Sequence, residues 1–133
     1  MDISRTYQKM CICKEIQKKW KIEEGDYFFK KSSSEVYFYF CGHEGWPFAE
    51  AQRRFYAWLP RQDQLQAMIE HIKYLYGFYL RVAGWTGQLF NREEKLIFEV
   101  GELQSFEQIW LCFFMWIKHQ KAWNGEEWKR AKA

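Results

Sequence analysis

Residues 57–65 read AWLPRQDQL, and this stretch decides whether the chain is all-helical or mixed. Phe55, Ala57 and Leu59 alternate with Tyr56 and Trp58, the two-residue period of a strand. Pro60 has no N–H to give a ladder and pushes Leu59 toward extended angles, so the strand is predicted to end there. Beyond it Leu65, Met68, Ile69, Ile72, Leu75 and Tyr76 recur at spacings of three and four, the stripe of an amphipathic helix. Asp63 with Gln66 fits a capping box, and the Asp63 charge suits the positive end of a helix dipole. The cluster therefore reads as a junction where a strand gives way to a helix, with Arg61 left to pair or bind.

Working upstream, residues 5–20 favour one helix with Cys13, Ile16 and Trp20 on a face, Ile12 beside it, and Lys9, Lys14, Lys18 and Lys19 around the rest. Glu23-Glu24-Gly25-Asp26 has turn chemistry. Strands are expected at 27–30 and 35–41, the second reading EVYFYFC, so that the Phe side chains pack on helices and the Tyr side chains stay half wet. Downstream, Gly77, Gly84 and Gly87 can each interrupt a helix while Tyr79, Val82 and Ala83 would extend the stripe of the 62–76 helix, and the pattern leaves both readings open. Residues 96–100 read as a strand, and Ser105 with Gln108 forms a second capping box. The helix it starts, 105–121, carries Phe106, Ile109, Trp110, Phe113 and Ile117 on its main face and is apolar nearly all round. Such a helix is central, or its second face binds something. Asn124-Gly125 suggests a type I′ turn between short arms, and residues 129–133 a fraying basic tail. The expectation is a single α+β domain, 1–133, with an antiparallel sheet of three to four strands (27–30, 35–41, 54–59, 96–100) against helices at 5–20, 62–76 and 105–121.

With 133 residues, 48% of them hydrophobic, the chain can build a core without metal or disulfide staples. Aromatic residues make up 21%, more than a small interior needs, which points to surface aromatics that meet a partner. A net charge of +3 neither demands nor excludes nucleic acid. The segment MDISRTYQKM lacks the layout of a secretory signal, so a cytoplasmic protein is expected. The longest apolar run, Ile109–Ile117, has nine residues, against about 20 for a membrane-spanning helix, and no membrane partner is expected. Cys11 and Cys13 on a helix point about 200° apart, and Cys41-Gly42-His43 lacks paired Cys-x-x-Cys spacing. The cysteines, Cys112 included, are read as reduced apolar residues, with no metal and no cofactor.

Trp46, Trp58, Trp123 and Trp128 are the candidate partner-binding residues, because Trp anchors interfaces; core packing is the competing assignment for each. Lys14, Lys18, Lys19 and Lys21 are the candidates for an alternative nucleic-acid-binding function, in which cations meet phosphates and neighbouring aromatics stack on bases. A further alternative is a small enzyme using His43 and Glu44 as an acid–base pair, which requires a pocket and a third orienting group. No phosphate loop, dinucleotide fingerprint, nucleophile elbow or zinc-protease motif is present in the sequence, and no catalytic residue is assigned.

Three blocks stand in order along the chain: WLPRQDQL at 58–65, SFEQIWL at 105–111 and KAWNGEEW at 121–128. Together they resemble a group of small uncharacterised proteins carried by phages and prophages of Gram-positive bacteria, in which W-L-P-R-Q-D-Q-L, S-x-E-Q-L-W-L and K-x-W-x-G-E-x-W patterns recur. The resemblance implies a phage or prophage origin and supplies no reaction and no catalytic residue. The resulting expectation is a non-enzymatic accessory protein that acts by binding another protein.

Overall fold

A computed structural model of the chain describes residues 1–39, 54–76, 79–83, 86–101 and 103–130, with backbone alone at 70–76, 79 and 83. The expected strand end at 40–41, Cys41, His43, Glu44, Trp46, Gly77, Gly84 and the tail residues 131–133 lie outside the described residues. Contacts divide the chain into two compact units, Ile3–Arg61 and Met1–Asp2 with Gln62–Ala133. The AWLPRQDQL stretch is thus a junction in a second sense, since the division falls between Arg61 and Gln62.

In the Ile3–Arg61 unit, the expected first helix is two: α1 (Arg5–Cys11), capped by the Ser4 side chain accepting from the Tyr7 N–H, and α2 (Lys14–Gln17). Ile12 and Cys13 leave helical angles between them. Tyr7, Met10 and Cys11 form the buried face of α1, and Ile16 and Trp20 are buried further on, while Ile12 is half exposed. The break has a tertiary cause. Gln17 turns back so that its Nε2 donates to the Cys11 carbonyl (2.9 Å) and the Trp58 carbonyl (3.0 Å), and its Oε1 accepts from the Trp58 N–H (2.8 Å).

Strands β1 (Tyr27–Lys30), β2 (Val36–Phe38) and β3 (Tyr56–Leu59) form an antiparallel sheet in the order β2-β1-β3. Gln17 therefore satisfies both backbone groups of Trp58 on the edge strand β3, as a neighbouring strand would. The hairpin β1–β2 follows the sequence reading, and both faces of its sheet hold buried side chains: Phe29, Ala57 and Leu59 on the side of Val36 and Phe38, Phe28 and Trp58 on the side of Tyr37. Phe38 is 49% exposed, whereas Tyr37 stacks on the buried Phe28 with ring centroids 5.5 Å apart. Register explains this: Phe28 stands opposite Tyr37 on β2 and Trp58 on β3, so those three share a face.

The residues that end this unit are tied down. The buried Tyr7 hydroxyl donates to the Pro60 carbonyl at 2.6 Å. Arg61, expected to be available, donates through Nη1 to the Gly25 carbonyl and lies 3.8 Å from Asp26 Oδ1. Gly25 takes φ +93°, a region that favours glycine. Asp26 is 1% exposed and accepts from Trp20 Nε1 (3.0 Å) and the Glu23 N–H (2.9 Å), so its burial is compensated.

The other unit begins with α3 (Gln62–Tyr76), at the boundaries its stripe predicts, with Leu65 and Ile69 buried. Because the helix starts at Gln62, Asp63 sits inside the first turn, where its charge faces the dipole, and is not the capping residue. The stripe does not continue. Residues 79–83 form β4 (Tyr79–Ala83), paired antiparallel with β5 (Thr86–Phe90), which pairs in turn with β6 (Leu96–Val100). Leu80, Leu89 and Phe98 stand in one row across this sheet, and Arg81, Gln88 and Glu99 in the row on the opposite face.

Helix α4 (Phe106–His119) opens with the cap the sequence predicts, Ser105 Oγ accepting from the Gln108 N–H at 3.2 Å. It packs against α3, β5, β6 and the following strand, which accounts for an apolar surface nearly all round. Leu111, Phe113, Phe114 and Met115 are all buried. β5 approaches so closely that a Cβ on Gly87 would lie 2.6 Å from Phe113 Cζ and 2.8 Å from Ile109 Cγ2. The chain then forms β7 (Lys121–Trp123) and β8 (Trp128–Arg130), a two-stranded antiparallel ribbon. Lys129 and Arg130, expected to fray, are paired. Among the described residues the protein is α+β, with four helices and its strands divided among three antiparallel sheets of three, three and two.

Candidate interaction surface

Local chemistry at the end of α4 builds the ribbon. Gln120 adopts a left-handed conformation (φ 52°) and returns its N–H to the carbonyls of Met115 and Trp116, which stops the helix and reverses the chain. The Asn124 side chain accepts from the N–H groups of Glu126 (2.9 Å) and Glu127 (2.8 Å), and the Asn124 N–H donates to the Glu127 carbonyl at 3.1 Å. Gly125, at φ 101°, completes a four-residue loop, where the Asn-Gly pair suggested a two-residue type I′ turn. The difference sets the register. A two-residue turn would place Trp123 opposite Glu126, whereas the observed loop places it opposite Trp128.

The two indoles lie with ring centroids 5.1 Å apart and planes inclined at 59°. The Asn124–Glu127 hydrogen bond and the alternation of an antiparallel ladder put this pair at a non-hydrogen-bonded position, where side chains approach most closely. Both are half-buried. Two residues along, Lys121 stands opposite Arg130, on the same side as the indoles because side chains alternate. At the other end Glu126 and Glu127 are exposed, and Glu127 pairs with Lys129 at 3.5 Å, both side chains about two-thirds in water (64% and 65% exposed).

The remaining sequence-predicted residues fall elsewhere. Trp58 is 5% exposed and belongs to the core of its own sheet; its indole N–H finds no hydrogen-bond partner among the described residues. Trp46, His43 and Glu44 lie outside the described residues. Lys14, Lys18, Lys19 and Lys21 are all exposed, but the aromatic of that segment, Trp20, is buried with its N–H committed to Asp26. Cys11 and Cys112 are buried thiols and Cys13 is half-buried. Burial pushes the Cys112 pKa up to about 12, so it is not a nucleophile near neutrality.

The sequence reading missed an open depression of about 470 Å³ at the start of α4, lined by Met1, Asp2, Gln62, Gln104, Ser105, Phe106 and Glu107. Its polar groups largely serve one another. Asp2 Oδ2 accepts from Ser105 Oγ (2.5 Å) and Gln108 Nε2 (2.8 Å), and Glu107 Oε1 accepts from the Asp2 N–H (3.3 Å). Asp2 thus places a carboxylate at the positive end of α4, a stabilising role. Lys121 and Arg130 were missed as companions of the indoles, although the symmetric spacing of K-x-W and W-x-R about the loop carries the signal. No helix among the described residues is long and apolar enough to cross a membrane. No family model, curated protein or solved structure matches the chain.

Proposed function

We propose that the protein is a non-enzymatic accessory protein of phage or prophage origin, working in the cytoplasm by binding another protein, and that the β7–β8 ribbon is its contact surface. The observation that carries this reading is the Trp123–Trp128 pair, two facing indoles that stay half accessible on a short ribbon. Large rigid aromatics with few torsions to freeze are the side chains from which interfaces draw most of their energy. Trp58, buried within its sheet, does not serve this purpose. The exposed lysines of residues 14–21 support nucleic-acid binding less well, because the indole that would stack on a base in that segment is buried.

The test is affinity capture from producing cells with the wild-type chain and with Trp123→Ala/Trp128→Ala, both checked for folding by circular dichroism. A partner held by the wild type and lost with the folded double variant is expected. Identical captured sets would overturn the reading.

A further inference from the structure

The loop that closes the ribbon carries chemistry of its own. The chain has two asparagines, Asn91 and Asn124, and Asn124 alone is followed by glycine. The main-chain nitrogen after an asparagine can attack the side-chain Cγ, because the two are tethered and close a five-membered ring. At Asn124 the structure favours that attack. Gly125 has no side chain to shield its nitrogen, and among the described residues nothing lies within 4 Å of where a Cβ would stand. Neither the Gly125 N–H nor Asn124 Nδ2 makes a hydrogen bond among the described residues, so the attacking and the leaving nitrogen are not held back. Negative charge collects on Asn124 Oδ1 as the tetrahedral intermediate forms. That oxygen already accepts from the N–H groups of Glu126 (2.9 Å) and Glu127 (2.8 Å), the two-donor arrangement of an oxyanion hole.

We propose that Asn124 is a self-modification site whose product rearranges the ribbon. The Gly125 nitrogen gives up its proton to water or hydroxide and bonds to Asn124 Cγ; the Cγ–Nδ2 bond breaks, and Nδ2 takes a proton from water and leaves as ammonia. Water then adds to either carbonyl of the resulting succinimide and opens it. The sum is asparagine plus water giving ammonia and either aspartate or isoaspartate. Aspartate keeps a side-chain acceptor for the Glu126 and Glu127 N–H groups. Isoaspartate runs the main chain through Cβ and Cγ, one carbon longer, and takes that acceptor away, so the loop no longer sets Trp123 opposite Trp128. The inference holds whether or not the ribbon binds a partner. Asn91 is an internal control: its Oδ1 also accepts from two N–H groups, those of Glu93 and Lys95, both at 3.0 Å. The residue after it is Arg92, whose side chain shields the nitrogen.

The test ages the purified full chain at neutral pH and physiological temperature, in native buffer and in urea. Peptide mass spectrometry reads the gain of about 1 Da that marks loss of the amide, and isoaspartyl methyltransferase labelling reads passage through the succinimide. The expected result is aspartate and isoaspartate at position 124, none at position 91, and a rate in native buffer no slower than in urea. The near-ultraviolet circular dichroism of the coupled indoles is expected to fall in proportion to the isoaspartate formed. Conversion of Asn124 that is slower in native buffer than in urea overturns the proposal, because the loop then protects the side chain. Conversion of Asn91 in step with Asn124 overturns it as well. An undiminished indole signal in a mostly isoaspartyl chain overturns the rearrangement of the ribbon.

Discussion

Replacing Gly87 by alanine sets two opposing effects against each other, and their magnitudes decide the outcome. Gly87 is not among the residues with positive φ, so alanine fits its backbone and gains about 0.4–1 kcal/mol by restricting the unfolded chain. Against this, the added Cβ would stand 2.6 Å from Phe113 Cζ, 3.1 Å from Phe113 Cε2 and 2.8 Å from Ile109 Cγ2. Phe113 and Ile109 are both fully buried. Neither can swing away, since Phe113 is enclosed in the core and Ile109 is branched at Cβ and held by its helix. Overpacking of this kind costs about 1–3 kcal/mol, which exceeds the entropic gain. The net loss is about 1–2 kcal/mol, or roughly 4–8 °C in Tm for a chain of this size. Urea and thermal melts measure it directly. Adding Phe113→Leu to Gly87→Ala should cost less than the sum of the single changes, because the first clash is relieved. A Gly87→Ala protein as stable as wild type would refute the close approach of β5 to α4.

Two further outcomes follow from buried groups. Gln17→Ala removes the side chain that serves both backbone groups of Trp58 and the Cys11 carbonyl, and is expected to cost about 1–3 kcal/mol while hastening exchange of the Trp58 amide; an unchanged Trp58 exchange rate would contradict the edge-capping role. Cys112 has its pKa raised by burial from 9.0 to about 12, so the unfolded chain loses this proton first, and the associated stability is complete below pH 9 and declines as pH rises toward 12. Tyr37, raised chiefly by its hydrogen bond to Glu35, acts in the same direction, so the comparison must be with Cys112→Ala, whose denaturant midpoint should fall less steeply over that range. Equal slopes would contradict the assignment.

The sequence conveyed what local chemistry determines. The boundary at Pro60, the start and end of α3, the Ser105 cap and the central position of α4 all follow from period, proline and capping residues within one element. The misread elements share a non-local cause. Nothing between Arg5 and Trp20 signals a break, because the break answers to hydrogen bonds from Gln17 to a strand some forty residues away. Residues 79–83 suit either period and become β4 only through pairing with 86–90. The alternation of EVYFYFC was legible, but not that both faces of its sheet hold buried side chains, since that depends on Phe29, Ala57 and Leu59 on one side and Phe28 and Trp58 on the other. At the candidate surface the sequence named Trp123 and Trp128, while the loop that makes them face each other depends on how the Asn124 side chain closes it.

The most direct test of the ribbon as a contact surface is site-specific photocrosslinking in producing cells, with benzoylphenylalanine at position 128 and, as control, at the exposed loop position Ser32. The account predicts a discrete crosslinked species from position 128 and none from position 32. No adduct at 128, or equal adducts at both positions, would contradict it.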